Sequence, residues 1–478
     1  MITINEISDK YPRRTSSIPQ PMPPTPPEPT QRVWGFHINA AESDPDAAVT
    51  YLGLAKGKQP ARMGASEFNY GGWEDIWFMP KPCILNNDGT VKWYINPDNY
   101  QKQADSDSDS WHRNMSAAIN TMMEWPLIWY KFEATDELGS GNFYVSDEQI
   151  DESYHCWCNM DCDGNIIPHF YTAVYRSSPY YYNKSGTSTY RLRSMSSYPL
   201  ITSSSISESA GLNSDTEYTY AINNNLTEKQ EWFCSLWCDR VLISALCILI
   251  SKTLDSQSAF GNGFLIPTDS SAQPGRQAGS AVASGSLDSR GLFYGNTTDG
   301  SEHVKVFGME DFWGFSPVRV WGAYVFGETP TRSGAVGIKL TYGTQDGSSS
   351  SGWINYSNYP KTFPIPPESS GVEHTIEGYV NNLTVTEKGI FPAHVGNTYD
   401  QSGGDDIFEC DGFYMSSSHM SGLLLTGSAY KDLSTGPEQD IKKSGLFCMY
   451  ESLQDFSGTY PWYITTMLSC KPLLRDSE

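Results

Sequence analysis

Residues 155–162, HCWCNMDC, gather His155, Cys156, Cys158 and Cys162 within eight positions. Thiolates and imidazoles at short spacing are the ligands of tetrahedral zinc. A C-x-C-x3-C run with one adjacent histidine is not a standard zinc spacing, however, and no second cluster answers it. The expectation here is one strand leading into a turn, without metal. Asp161-Cys162-Asp163-Gly164-Asn165 opens like a calcium loop, but the twelfth position, where glutamate is needed, is Thr172. An Asp-Gly hairpin turn is therefore expected. Cys234 and Cys238, four apart, would share one face of a helix, and filling a core is a commoner use of such thiols than redox work. Acidic pairs stand at Glu310-Asp311 and Asp405-Asp406. Paired carboxylates cleave glycosides only at a set separation in space, which chain spacing does not supply. No G-x-S-x-G elbow, H-E-x-x-H or P-loop occurs, and spacing ties none of the eight histidines to a nucleophile. No catalytic residue, metal or cofactor is assigned.

The aromatic segment 302–326, EHVKVFGMEDFWGFSPVRVWGAYVF, surrounds Glu310-Asp311. It reads as a strand (VKVF), a tight turn from Gly308 to Gly314, and a second strand (VRVWGAYV). In the second strand Val318, Val320 and Gly322 share one side, and Arg319, Trp321 and Ala323 the other. Rings at this density fill a core, and buried tryptophan needs one acceptor for its N–H. Phe312, Trp313 and Trp321 are accordingly read as core, ahead of a ligand platform or catalysis by Glu310.

Several elements must position these residues. Residues 11–30 hold eight prolines and form an extended arm that makes no core. From Val33 to about Leu200 short strands and turns alternate, with a hairpin at Asp88-Gly89. A helix is expected from about Met115 to Met123, ending at Trp125 before Pro126. Residues 184–216 are Ser/Thr/Tyr-rich, loop-like and hold a domain boundary. Thr227-Glu228-Lys229-Gln230 matches a capping box, so a long helix should open at Thr227 and bury Trp232, Trp237 and the apolar run Val241–Ile250. That run is about half of what spans a bilayer, so it is read as buried rather than membrane-inserted. Glycine-rich loops and short strands follow, with no fixed repeat.

Composition narrows the classes. Acidic residues outnumber basic ones 55 to 32, a net charge of −23 that would repel a phosphate backbone, so nucleic acid is not an expected partner. Aromatic residues reach 13%, with abundant serine and glycine, as in adhesive surfaces and binding loops. Met1 to Lys10 lack the apolar run of a secretory signal. Synthesis in a reducing cytosol and mostly free, buried thiols are expected.

VKVFGMEDFWG with RVWG resembles the V-x-G-x-E-N-x-W-G-N core signature of the C-type lectin-like fold shared with formylglycine-generating-enzyme-like domains, with Asp311 and Phe315 replacing the two asparagines. SKTLDSQSAFGNG, SGSLDSRGLFYG, KLTYGTQDGS and MLSCKPL, with GGWEDIWFMPKPCILNNDGTVKWYINPDNY, MMEWPLIWYKF and FYVSDEQIDESYHCWC, are similar to a family of phage tail or receptor-binding proteins. Some members of that family are tropism-determinant-like targets of diversity-generating retroelements. The likeness runs from about residue 34 onward and leaves out the proline arm.

The resemblance implies an α+β fold: an arm at 1–32, a β-rich N-terminal domain at 33–200, and a C-type lectin-like domain at 201–478 with one long buried helix. It further implies a non-enzymatic virion protein of the tail or fibre, made in the host cytoplasm, that attaches to a host-surface protein or glycan. Carried over by position, the display surface falls in 410–419, 427–432, 445–454 and 457–463. Tyr414, Tyr430, Tyr450, Tyr460, Trp462 and Tyr463 would give stiff amphipathic area, and Ser416, Ser418, His419, Lys431 and Glu451 adaptable polar contacts. The fixed frame would be Gly412, Gly427, Gly445 and Ser469-Cys470. Lectin calcium tripeptides are missing, and Cys410, Cys448 and Cys470 lie far apart, so neither calcium-dependent sugar binding nor formylglycine chemistry is implied. Other tail proteins would hold the arm, and self-association would follow virion symmetry. Two alternatives are a structural protein that joins or decorates tail parts and a glycan-cleaving tail enzyme.

Overall fold

The structure is a computed structural model. It describes residues 32–114, 118–135, 139–184, 187–198, 214–227, 229–264, 284–298, 300–314, 317–327, 336–340, 361–365, 375–395, 412–416, 422–428, 444–451 and 465–474. These residues are mostly β-strand, with three α-helices among them.

A seven-stranded sheet runs, in spatial order, Trp232–Cys234, Leu468–Cys470, Phe170–Ala173, Ile119–Trp125, Lys81–Asn86, Val91–Asn96 and Asn99–Gln103. It draws strands from both sides of residue 200, so the end of the chain is woven between segments far ahead of it. Trp34–Ile38, Val49–Gly53, Trp129–Ala134 and Gly141–Ser146 form a four-stranded antiparallel sheet. The Asp88-Gly89 hairpin joins two adjacent strands of the larger sheet. Gly89 has φ 79°, which glycine adopts without steric cost, and the Asp88 carboxylate accepts the Thr90 N–H at 3.0 Å.

Helix α1 (Ser214–Ile222) precedes the second helix, α2 (Trp237–Ser251), which is buried along its whole length. A helix this apolar must be surrounded by protein, and distant segments use its C-terminal carbonyls. Tyr51 Oη and the Ala61 N–H donate to Ile250 O at 3.2 and 2.7 Å, and Arg62 Nε donates to Ser251 O at 3.0 Å. Lys252, left-handed at φ 53°, returns its N–H to Ile248 O and ends the helix. A short α3 (Ser256–Phe260) follows, capped by Asp255.

Four sequence expectations are corrected. The helix expected to run into Trp125 is instead the strand Ile119–Trp125, paired on both edges and buried at all seven positions. A central strand covered on both faces reads as an apolar run, which periodicity does not separate from a helix. The long helix does not open at Thr227. Thr227 Oγ1 donates to Lys229 O at 3.2 Å, Trp232–Cys234 is a strand, and the helix starts at Trp237 after an N-cap, Leu236, without a capping side chain. Asn225 instead accepts the Glu231 and Trp232 N–H groups, each at 2.8 Å, and pairing with Leu468–Cys470 outweighs the local capping signal. Cys234 and Cys238 consequently share no helical face. HCWCNMDC contains a 3-10 turn at Trp157–Asn159 rather than a strand. Inside 184–216, Thr187–Arg193 is a strand paired as a hairpin with Ser178–Lys184, and α1 begins at Ser214.

The third large sheet has eight strands in the order Lys361–Ile365, Val336–Leu340, Val318–Gly327, Gly422–Ser428, Ser444–Glu451, Gly412–Ser416, Thr375–Thr386 and Gly389–Val395. Its neighbours are antiparallel except 412–416 beside 444–451.

Candidate functional site

The 303–314 turn fastens this sheet to the rest of the molecule. Lys305–Val306 pairs with Met309–Glu310, and the chain reverses through Phe307 (φ 47°), Gly308 (φ 79°), Asp311 (φ 58°) and Gly314 (φ 79°). Trp313 is buried and donates its indole N–H to Gly261 O at 2.9 Å. Arg240 from α2 lies 3.7 Å from the Phe312 ring and donates to Phe312 O at 2.6 Å. Gly314 N–H reaches Gly427 O at 3.0 Å. A Cβ at Gly427 (φ 87°) would come within 2.9 Å of Phe312 O, so only glycine lets the turn and the 422–428 strand approach this closely. Trp321 is also buried, its Nε1 3.4 Å from Glu217 Oε1, and Arg319 pairs with the same carboxylate. Trp232 and Trp237 are buried too, as is Cys470.

Beneath the rings lies a cluster of charges. Glu310 accepts from Gly285 N–H at 2.9 Å and from Ser286 Oγ at 3.1 Å. Burial, and then the neighbouring Asp311 charge, push its carboxyl up to about 7. Burial pulls the Lys305 ammonium down to about 8 against the attraction of Glu310 and Asp288. Lys305 Nζ donates to Leu287 O at 3.0 Å and sits 3.6 Å from the Tyr100 ring. His303 Nδ1 meets the Asp311 carboxylate at 2.8 and 2.9 Å. Burial alone would lower the imidazole, but the charge and hydrogen bond of Asp311 outweigh it and raise it to about 9. Asp288 accepts from His112 Nε2 at 3.0 Å, Ser196 Oγ at 2.8 Å and Tyr175 Oη, and these partners hold it below the ordinary carboxylate range despite burial. A carboxyl near 7 and an amine near 8 lie in the range of acid–base catalysis. Here those atoms are buried and engaged with backbone, hydroxyl and ring partners, an arrangement that braces a strained turn. Chain spacing gave no sign of this cluster, because Asp288, Tyr175 and His112 come from three distant segments.

Two groups of side chains have metal-ligand composition. Cys158, Cys238 and Asp239 place their ligand atoms within 4.8 Å of one another, as do His303, Glu310 and Asp311. The first group already holds a cation: Lys471 Nζ pairs with Asp239 and donates to Cys158 O at 2.6 Å, while Ser469 Oγ donates to the other Asp239 oxygen at 2.7 Å. Burial keeps the Cys158 thiol well above its ordinary value, and thus protonated, whereas a metal needs thiolate. In the second group His303 supplies the positive charge. Of the three cysteines of HCWCNMDC only Cys158 enters the first group. Asp161 spends its carboxylate on the turn, accepting the Asp163 and Asn165 N–H groups at 2.9 and 2.8 Å. Of the nine described cysteines, all but Cys162 are buried.

The display residues divide. Tyr414 and Tyr450 are backbone register partners on the parallel strands 412–416 and 444–451. Ser416 and Glu451 lie at the same end of those strands, and Gly422 starts the antiparallel strand there, with Leu424 opposite Glu451. Ser418 and His419, between Ser416 and Gly422, lie outside the described residues, as do Tyr460, Trp462 and Tyr463, between Glu451 and Thr465. Tyr430 and Lys431, also outside them, follow Ser428 at the opposite end of the sheet, where Ser428 pairs with Ser444. Strand direction thus brings both ends of the 417–421 connection beside Glu451, where the 452–464 connection starts, while Thr465, where that connection ends, pairs with Val318 opposite Thr426, and Ser428 and Ser444 stand at the other end of the sheet. Within the expected display segment 445–454, Leu446 to Met449 are buried, so this part of it is core rather than surface; the frame residues Ser469 and Cys470 are buried as well. Asp405 and Asp406, and Cys410, lie outside the described residues.

No protein-family model matches the chain, and no curated protein matches it.

Proposed function

We propose that this chain is a non-enzymatic virion protein of a phage tail or fibre, and that it attaches to the host surface through the end of a C-type lectin-like sheet. What carries the reading is the parallel pairing of 412–416 with 444–451. It sets Tyr414 beside Tyr450 in backbone register, and it brings both ends of the serine-rich 417–421 connection beside the start of the 452–464 connection, which carries Tyr460, Trp462 and Tyr463, at one end of a sheet whose inner residues are buried. Stiff aromatics on a fixed frame bind at low entropic cost, and the polar residues among them set specificity. In this reading the contact residues are drawn from the 417–421 and 452–464 connections, whereas the connection that carries Tyr430 and Lys431 leaves from Ser428 and returns to Ser444 at the other end of the sheet. No second reading is favoured by a specific observation.

The test is adsorption of purified full-length chain to host cells or isolated envelope. Combined Tyr450→Ala, Tyr460→Ala and Trp462→Ala substitution should weaken binding about tenfold or more, while Tyr430→Ala leaves it unchanged. Undiminished binding by the triple variant, with its fold retained by circular dichroism, overturns the reading.

A further inference from the structure

Among the twelve tryptophans in the described residues, Trp111 alone is exposed, at 42%, and its backbone is left-handed at φ 63°. Bulky residues avoid that conformation, and it persists only where the surroundings over-determine it. They do so here from both sides. Ser110 and His112 are buried and 3.0 Å apart (Oγ to Nδ1), His112 Nε2 is held by Asp288 at 3.0 Å, and Ser110 N–H donates to Gln101 O at 3.0 Å. With both neighbours pinned inward, the ring between them is held toward solvent. Asp109 accepts the Trp111 N–H at 2.6 Å, and Ser110 O accepts the indole N–H of Trp93 at 2.9 Å. Trp93 then meets Trp111 edge to face at 5.0 Å, and Lys92 Nζ lies 5.0 and 4.8 Å from the two ring centroids.

We propose that Trp111, seated on Trp93, is a stacking platform for a single pyranose ring of a neutral surface glycan. The surroundings select this ligand class. Ser106, Asp107, Ser108, Asp109 and Arg113, which flank Trp111 in the chain, are exposed and polar. A protein partner needs a dry surround of roughly 800 Å² per side, which two rings edged by charge do not provide. A nucleobase would bring phosphate toward a chain of net charge −23. A pyranose has one face of C–H groups for the indole and a girdle of hydroxyls for Lys92, Arg113 and the aspartates, which matches both features. The platform is independent of the 412–463 surface.

Full-length chain is titrated with glucose, galactose, mannose, N-acetylglucosamine and N-acetylgalactosamine, with tryptophan emission as the readout and calorimetry as the check. The expected result is saturable binding of at least one sugar in the millimolar range. Trp111→Ala should weaken it at least about tenfold and Trp111→Tyr should largely retain it. Trp111→Gly should abolish binding with an unchanged or higher melting temperature, since glycine relieves the left-handed strain. Tyr450→Ala should not alter sugar binding, which separates this site from host attachment through the sheet. Absence of saturable binding by all five sugars, or equal binding by Trp111→Ala, overturns the proposal.

Discussion

At the residue scale, side chains that looked chemically idle in the sequence carry the tightest electrostatics. His303 has its pKa raised from 6.5 to about 9 by Asp311. A raised pKa means that the folded state holds a proton the unfolded chain has released. The stability His303 contributes is therefore complete below pH about 6.5 and lost as pH rises through about 9. Glu310, raised from 4.5 to about 7, also makes the folded state hold a proton longer, so its ionisation lowers stability between those values. The melting temperature should fall from pH 4.5 to about 8, above which the lowered Lys305 opposes His303; Glu310→Gln should flatten the lower part of the fall and His303→Gln the upper, as read by thermal unfolding in matched buffers. Gly427→Ala forces a left-handed alanine against Phe312 O and should cost about 1–3 kcal/mol in urea unfolding. An unchanged midpoint would mean that the turn and strand do not meet this closely.

At the element scale, local signals lost wherever a neighbouring strand was available. The capping box at Thr227 is intact as a sequence, yet the chain there turns into a strand because Leu468–Cys470 offers it a ladder. Thr227→Ala should accordingly change stability by less than about 0.5 kcal/mol, where loss of a working N-cap costs about 1 kcal/mol. Asn225→Ala, which orphans the Glu231 and Trp232 N–H groups, should cost about 1–3 kcal/mol. Equal effects of the two substitutions would contradict this arrangement. The Asp88-Gly89 hairpin was legible because its information is local: glycine takes the left-handed turn position whatever the tertiary setting.

At the scale of the whole molecule, the last strand closes a sheet begun some 390 residues earlier (Lys81 to Cys470). A fragment ending near residue 200 lacks the Trp232–Cys234 and Leu468–Cys470 strands, and the buried helix whose carbonyls hold Tyr51, Ala61 and Arg62. Residues 33–200 expressed alone should show no cooperative thermal transition, and co-expression with 201–478 should restore one; cooperative unfolding of the isolated fragment would refute this dependence. Deleting residues 1–31, which lie outside the described residues, should leave the melting temperature within about 2 °C.

The sequence by itself determined the β-rich character, the burial of the Phe312–Trp313 and Val241–Ile250 segments, and the Asp-Gly hairpin, because these follow from side-chain hydrophobicity and local backbone preference. Tertiary structure alone decided that 119–125 is a strand, that α2 starts at Trp237, that Lys471 neutralises Asp239, and that Tyr414 stands beside Tyr450 while Tyr430 follows the opposite sheet end. Each depends on a partner far along the chain. Pairing and charge neutralisation are energies of proximity in space, and chain order does not encode that proximity locally.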